Sequence, residues 1–373
     1  MGIALKIALL TYSTKPRGGV VHTLALAEAL ARAGQDVTVW SIGRGGDAAF
    51  FRPVDPAVAV QLVPFPDVPG EDVGDRILRS IAVLDAAFDR SGETYDIVHA
   101  QDCISANAVP DCVRTVHHLD TFTTPALAAC HDRAVRRPRA LVCVSAAVAA
   151  EVECGWGRIP TVIPNGVDAA RFAAAAGPDA AAARARWRER LGRYVLAVGG
   201  IEPRKGTLDL VEAMALVHRE RPDLALVVAG GETLFDYRGY RARVEARAAE
   251  LGVAPVVLGP VQHDELPALV AAADVLAFPS TKEGFGLAAM EALAAGVPVV
   301  TRDLPVLREV FDGAAAFATD PPGLAAQLLA ATSGAHPDRR AAGRALAARH
   351  TWDAAAAEHL DFYARHRGRR SGR

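Results

Sequence analysis

The chain has 373 residues, too many for one compact core and enough for two domains of ordinary size. About half of it is apolar (51%), and 41 basic against 43 acidic residues leave a net charge of -2, so no whole-chain electrostatic argument for nucleic-acid binding exists. Five cysteines, odd in number and without a C-x-x-C pair, argue against a disulfide framework or zinc site and fit reduced thiols in the cytoplasm.

In chain order, the apolar opening MGIALKIALLTYS is too short to span a bilayer and lacks the basic start and cleavage site of a signal peptide. It reads as a buried strand. LKIALLTY leads into the helix-like GGVVHTLALAEALARAG, and DVTVWSI follows as a second strand. The proline-rich stretch from Phe50 to Gly70 reads as an irregular connection or edge strand. YDIVHA, VRTVHHL and ALVCVS are further strands, each followed by a helix-like segment. A second series, RYVLAVGGI, LALVVAG, PVVLGP, VLAFPS and VPVVT, alternates with helices that start near Thr207, Asp236, Asp264, Gly286 and Pro305. Strands apolar along their whole length and separated by helices specify parallel sheets covered on both faces. The expected architecture is α/β: two Rossmann-like doubly wound domains facing each other across a cleft. The expected boundaries are 1–170 for an N-terminal, acceptor-side domain, 171–192 for an alanine- and arginine-rich linker, 193–350 for a C-terminal, donor-side domain, and 351–373 for a closing helix with a basic tail.

The richest stretch is TKEGFGLAAMEALAAGVPVVT, from Thr281 to Thr301. A strand, a turn with Glu283, Gly284 and Gly286, and a helix starting at Phe285 to Leu287 place unpaired backbone N–H groups where an anion binds. Glu283 lies outside that first turn and Glu291 inside the helix, so the two carboxylates reach opposite ends of one long ligand. A carboxylate accepts from the neighbouring hydroxyls of a ribose or hexose. One anion site between two diol readers describes a nucleotide sugar. The plainer alternative is a helix cap and a solvated helix residue.

In GGIEPRKGT, Arg204 and Lys205 sit between a strand and a helix, as a diphosphate requires or as a plain solvated turn supplies. The spacing is not that of a P-loop. Gly18 and Gly19 form a strand-to-helix turn in the N-terminal half, open to a phosphate or simply tight. His117 and His118 end a strand, where open α/β sheets bind ligands; Asp102 and Asp120 are polar neighbours or caps. Ser145 reads as a helix cap. GRGGDA fits a dinucleotide pattern on paper, but no helical periodicity follows it. No Asp-x-Asp occurs, so the sequence lacks that divalent-metal motif, and no metal ligand is assigned.

EGFGLAAMEALAAGVPVV resembles the E-x7-E signature of retaining glycosyltransferases of family 4. The GGV, TVHH, VSAAV, IPNGVDAARF, VGGIEPRKG, ADVLAFPS and TWDAAAAEHLDFY stretches follow in that family's order. The resemblance spans nearly the whole chain. It implies the GT-B fold and metal-independent transfer of a hexosyl unit from a UDP-, GDP- or ADP-linked sugar to a small-molecule, glycan or lipid acceptor, with no cofactor. It implies that Arg204 and Lys205 hold the donor diphosphate and that Glu283 contacts the transferred hexose. Phe285, Gly286 and Leu287 then offer backbone N–H groups, Glu291 grips the ribose, and Gly18 and Gly19 approach the donor phosphate and acceptor. His117 lies near the sugar, with His118 held open because the histidine is doubled. The last helix crosses back to the N-terminal domain. Within the fold, an epimerase, a phosphorylase or a catalytically silent sugar-nucleotide binder is the alternative. The segment from Asp75 to Phe88 is amphipathic; it packs on its own sheet or makes peripheral contact with the inner face of the cell membrane.

Overall fold

The computed structural model describes residues 4–122, 124–230, 237–334 and 337–367. The chain divides into two compact units, one formed by residues up to Gly166 together with those from Trp352 onward, the other by Val167–Thr351.

The first unit is built on a seven-stranded parallel sheet in the order β3-β2-β1-β4-β5-β6-β7. Its strands are β1 (Lys6–Leu10), β2 (Asp36–Arg44), β3 (Val58–Phe65), β4 (Ile97–Ala100), β5 (Val113–Val116), β6 (Ala140–Cys143) and β7 (Thr161–Val162). The connecting helices are α1 (Gly18–Arg32), α2 (Val73–Arg90), α3 (Cys103–Ala108), α4 (Pro125–Arg136) and α5 (Ala146–Trp156). β3 holds the sheet's edge and accommodates Pro64, which a central strand would not tolerate. The amphipathic α2 turns Leu84 and, partly, Ile81 and Phe88 onto Ala8, Leu10, Trp40 and Phe65, so its apolar stripe covers its own sheet. Only Leu78 of that stripe is exposed. Ser145 caps α5 by accepting from Val148 N–H at 3.3 Å.

The second unit carries a six-stranded parallel sheet in the order β10-β9-β8-β11-β12-β13. In chain order its elements are α6 (Ala169–Ala176), α7 (Ala181–Leu191), β8 (Arg193–Val198), α8 (Thr207–Glu220), β9 (Leu224–Ala229), α9 (Arg238–Leu251), β10 (Val256–Gly259) and α10 (Leu266–Ala272). β11 (Val275–Phe278), α11 (Leu287–Ala294), β12 (Val299–Arg302), α12 (Pro305–Phe311), β13 (Ala316–Ala318), α13 (Pro321–Thr332) and α14 (Pro337–Arg349) complete it. The spacing of Leu210, Met214 and Val217 puts one stripe of α8 against Val195, Leu226 and Val228 of the sheet. Burying each such side chain contributes about 1.5–3 kcal/mol.

Two expectations need correction. Residues 171–192 are not a linker: Phe172 is fully buried, α6 and α7 pack against α10, and Arg188 and Arg193 both bind the carboxylate of Asp274 at 2.6 and 2.9 Å. Low complexity hid a folded segment because alanine packs by closeness and leaves no strong periodic signal. The boundary falls inside PNGVD, between Gly166 and Val167. Two short strands, β7 and β13, were not anticipated. The helix start near Asp236 lies outside the described residues; the described helix begins at Arg238. The closing helix, α15 (Trp352–Arg365), belongs to the first unit, where Trp352, Phe362 and Tyr363 are buried.

Candidate active site

Both sheets reverse their strand order once, between β1 and β4 and between β8 and β11. Loops at the carboxyl ends of the strands that flank such a switch point form the crevice where open α/β sheets bind ligands.

In the second unit those loops are 199–206, after β8, and 279–286, after β11. Glycine lets them meet. Gly206 adopts φ +64°, and a methyl group there would lie 2.2 Å from Pro279 O. Gly286 adopts φ +101° as the N-cap of α11, and a methyl group would strike the ring of Phe311 at 2.9 Å. Thr281 N–H donates to Arg204 O at 2.8 Å and ties the loops together. Arg302 donates to Pro279 O at 3.2 Å and pairs with Asp209 of α8, which braces them from the side.

The loops converge on one carboxylate. Glu283 pairs with Lys205, lies 3.4 Å from Arg204 Nη1 and accepts from Ser280 Oγ at 3.1 Å. Arg204 also binds the buried Glu202 at 2.7 Å, which fixes the guanidinium plane. Lys205 is largely buried, and its ammonium lies 5.1 Å from the Phe278 ring centroid. A small recess beside this group is lined by Gly199, Gly200, Lys205, Thr207, Phe278 and Ser280. The N-cap residues of α8 and α11 are glycines that supply no side-chain cap, and in α8 the N–H of Leu208 already donates to Tyr240 Oη at 3.2 Å. Leu287 is the first residue of α11. Phe285 is placed differently from its neighbours: its side chain is buried against His350, with only its backbone able to serve a ligand.

Glu291 has other neighbours. It is a half-buried residue of α11, and burial pushes its carboxyl up to about 7 against the pull of Arg171 and with the repulsion of Asp168. Asp168 caps α6 by accepting from Arg171 N–H at 3.1 Å, and Arg171 also bonds the backbone of His263. Sequence reasoning missed this pair, although Asp168 stands within the IPNGVDAARF stretch.

In the first unit, Gly18 opens α1, whose first turn has neither an acid nor a side-chain cap. The His117 ring lies beside Gly19 at the start of α1, close enough that a methyl group there would meet it in ordinary van der Waals contact at 3.6 Å. His118 turns instead toward Asp120, at 3.4 Å. His117 meets His22 edge-on with ring centroids 4.7 Å apart, and His22 Nδ1 lies 2.9 Å from the side-chain oxygen of Asn165. Desolvation pulls His117 down to about 3, so the ring is neutral at ordinary pH. Asp102 does not face outward: it caps α3 through Ser105 and accepts from Tyr12 N–H at 3.0 Å. Burial lifts the thiols of Cys103 and Cys112 to about 11 and about 12, which leaves them inert, and all five cysteines are unpaired.

The arrangement in the second unit can hold an anion on two cations and two helix starts, beside a carboxylate able to accept from hydroxyls. Over 99% of its length the chain is 33% identical to a D-inositol 3-phosphate glycosyltransferase of Xylanimonas cellulosilytica, covering 98% of that protein. The chain belongs to the family 4 glycosyltransferases. The family model described as Glycosyltransferase Family 4 matches residues 16–171, and that of glycosyl transferases group 1 matches 183–337. A D-inositol 3-phosphate glycosyltransferase of Salinispora arenicola is 33% identical over 79% of this chain and 76% of its own. The fold of this glycosyltransferase is GT-B. It is similar to HepE of Anabaena, solved in complex with UDP-glucose, with a TM-score of 0.75 at 20% identity over 96% of this chain and all of that one.

Proposed function

We propose that this glycosyltransferase moves a hexosyl unit from a nucleotide-diphosphate sugar to an acceptor hydroxyl, with retention of configuration and without a metal ion or other cofactor. The observation that carries the reading is the pairing of Lys205 and Arg204 with Glu283 on two glycine-closed loops at a switch point. The Glu283 carboxylate pairs with the two cations that a diphosphate needs. An incoming diphosphate takes over Lys205, Arg204 and the N–H groups at the starts of α8 and α11, and the Glu283 carboxylate accepts from a hexose hydroxyl. Those same positive groups supply the charge that a divalent ion supplies elsewhere. Glu291 then receives the ribose hydroxyls.

In the reaction, the acceptor oxygen bonds to the anomeric carbon as the bond from that carbon to the phosphate oxygen breaks. The acceptor's proton passes to the departing phosphate on the same face, so no side chain acts as base. The UDP-glucose held by HepE makes UDP-glucose the first donor to try, followed by GDP- and ADP-linked sugars. The names of the two relatives make a cyclitol phosphate the first acceptor. Relatives aligned over nearly the full chain are named as transferases, which favours transfer over epimerisation, phosphorolysis or silent binding. A cytoplasmic setting suits the unpaired thiols. No helix among the described residues is long and apolar enough to cross a membrane.

The test is a transfer assay with UDP-, GDP- and ADP-linked hexoses and D-inositol 3-phosphate, run with and without EDTA, the product anomer being read by NMR. One donor is expected to give an α-linked product from an α-linked donor, at a rate that EDTA leaves unchanged. An inverted product, or abolition by EDTA with rescue by a divalent ion, contradicts the reading.

A further inference from the structure

Gln101 is the first residue after β4, at the switch point of the first unit, and it is 1% exposed. Its backbone N–H donates to Leu10 O at 2.9 Å and extends the β1–β4 ladder by one residue. Neither its side-chain oxygen nor its side-chain nitrogen has a hydrogen-bond partner among the described residues. A buried amide that leaves both groups unpaired is costly and calls for a partner, an ordered water or a ligand group.

Its surroundings point the same way. Gln101 extends β4 two residues beyond His99, the spacing that puts side chains on one face, and His117 joins His99 through the ring contacts of His22 and His359. His117 is the first residue after the neighbouring β5, packs against Gly19 at the uncapped start of α1, and leaves its own buried Nε2 unpaired among the described residues. Being neutral, the imidazole can present that Nε2 either as an N–H donor or as a bare acceptor, according to its tautomer. An amide offers donors and an acceptor. A hydroxyl both donates and accepts, so adjacent hydroxyls of a ring match this pair, whereas a carboxylate or phosphate would meet the amide oxygen and an uncharged imidazole.

We infer that Gln101 is a substrate-contacting residue that, with His117, holds neighbouring hydroxyls of a polyol ring at the β1/β4 switch point. This rests on the transferase reading, and the ring is either the transferred hexose or a cyclitol or sugar acceptor. Calorimetric titrations of the full chain distinguish the two. One arm compares UDP-glucose, GDP-mannose and ADP-glucose with their nucleoside diphosphates; the other titrates myo-inositol in the presence of nucleoside diphosphate. Thermal midpoints are recorded for wild type and Gln101→Leu, with Gln101→Met read by the same criteria if the leucine variant does not fold.

The apolar replacement is expected to keep or raise the midpoint, because it removes unpaired polar groups. It is also expected to lose at least about tenfold of one affinity: the sugar-dependent increment if the ring is the transferred hexose, or that for myo-inositol if it is the acceptor. A midpoint several degrees lower in both variants shows a purely structural amide and overturns the proposal. So does wild-type behaviour of the variants in both arms, or a wild type that shows neither a sugar increment nor inositol binding. Nucleoside diphosphate binding by wild type reports separately on the transferase reading; if it fails, the myo-inositol arm still decides the role of Gln101.

Discussion

Glu283 touches a lysine, an arginine and a serine, and replacing it by glutamine keeps its shape while removing the charge that the donor must displace. Turnover of Glu283→Gln is expected to fall by well over tenfold, a loss above about 1.4 kcal/mol of transition-state stabilisation. A steady-state rate near that of wild type rejects its contact with the hexose. Glu291 has a different signature. With its carboxyl at about 7 in the free protein, roughly half the molecules carry it protonated at neutrality, whereas accepting from two ribose hydroxyls needs the anion. Nucleotide affinity should therefore rise as pH increases from 6 to 8, with proton release on binding below pH 7, and Glu291→Gln should bind more weakly with no such slope. A flat profile in wild-type calorimetry counts against the role. Arg204, Lys205 and Glu283 were legible in the sequence because a glycine-flanked turn between a strand and a helix constrains its own few residues. Gln101 was not, since burial and an unmet hydrogen-bonding capacity are products of the sheet and leave no mark on neighbouring residues.

Among the elements, α15 depends on an unusual set of partners. His22 from α1, His99 from β4, His117 after β5 and His359 from α15 lie in a chain of ring contacts, joined by Trp352 and Tyr363. Asn165 bonds His22, Tyr363 bonds His99 at 2.7 Å, and His359 donates to its own helix at Ala355. Among the described residues, the charged groups that most shift these rings are the other histidines, His118, Arg114 and Arg139, all of them repulsive to an imidazolium. Burial holds all four below the ordinary 6.5, His359 near 4 and His117 near 3. The unfolded chain thus takes up protons first, and stability that is complete above pH 6.5 is lost progressively as pH falls toward those values. The urea midpoint should drop clearly between pH 7 and pH 5, and His359→Leu should make that dependence shallower; equal midpoints at the two pH values contradict the account. Individual histidines are visible in the sequence, but their assembly is not, because it joins residues more than 300 positions apart in one cluster.

For the molecule as a whole, repetition of one pattern made the fold readable. Apolar runs such as LKIALL and RYVLAV, each followed by an amphipathic helix, admit few arrangements other than parallel sheets with helices on both faces, and two such series give two units. What escaped was local and weakly periodic. The alanine-rich α6 and α7 looked like a linker, and β7 and β13, with two and three residues, are too short to show alternation. The site followed the fold because switch points are fixed by strand order, and both clusters of glycine, cation and histidine stand at one. The account's central claim is that the diphosphate of a nucleotide sugar rests on Lys205 and Arg204. Calorimetric titration of wild type and Lys205→Ala with UDP, GDP and ADP tests it most directly. Saturable binding of one nucleoside diphosphate by wild type, weakened at least about tenfold in Lys205→Ala, is the predicted result; equal affinity in the two proteins would contradict it.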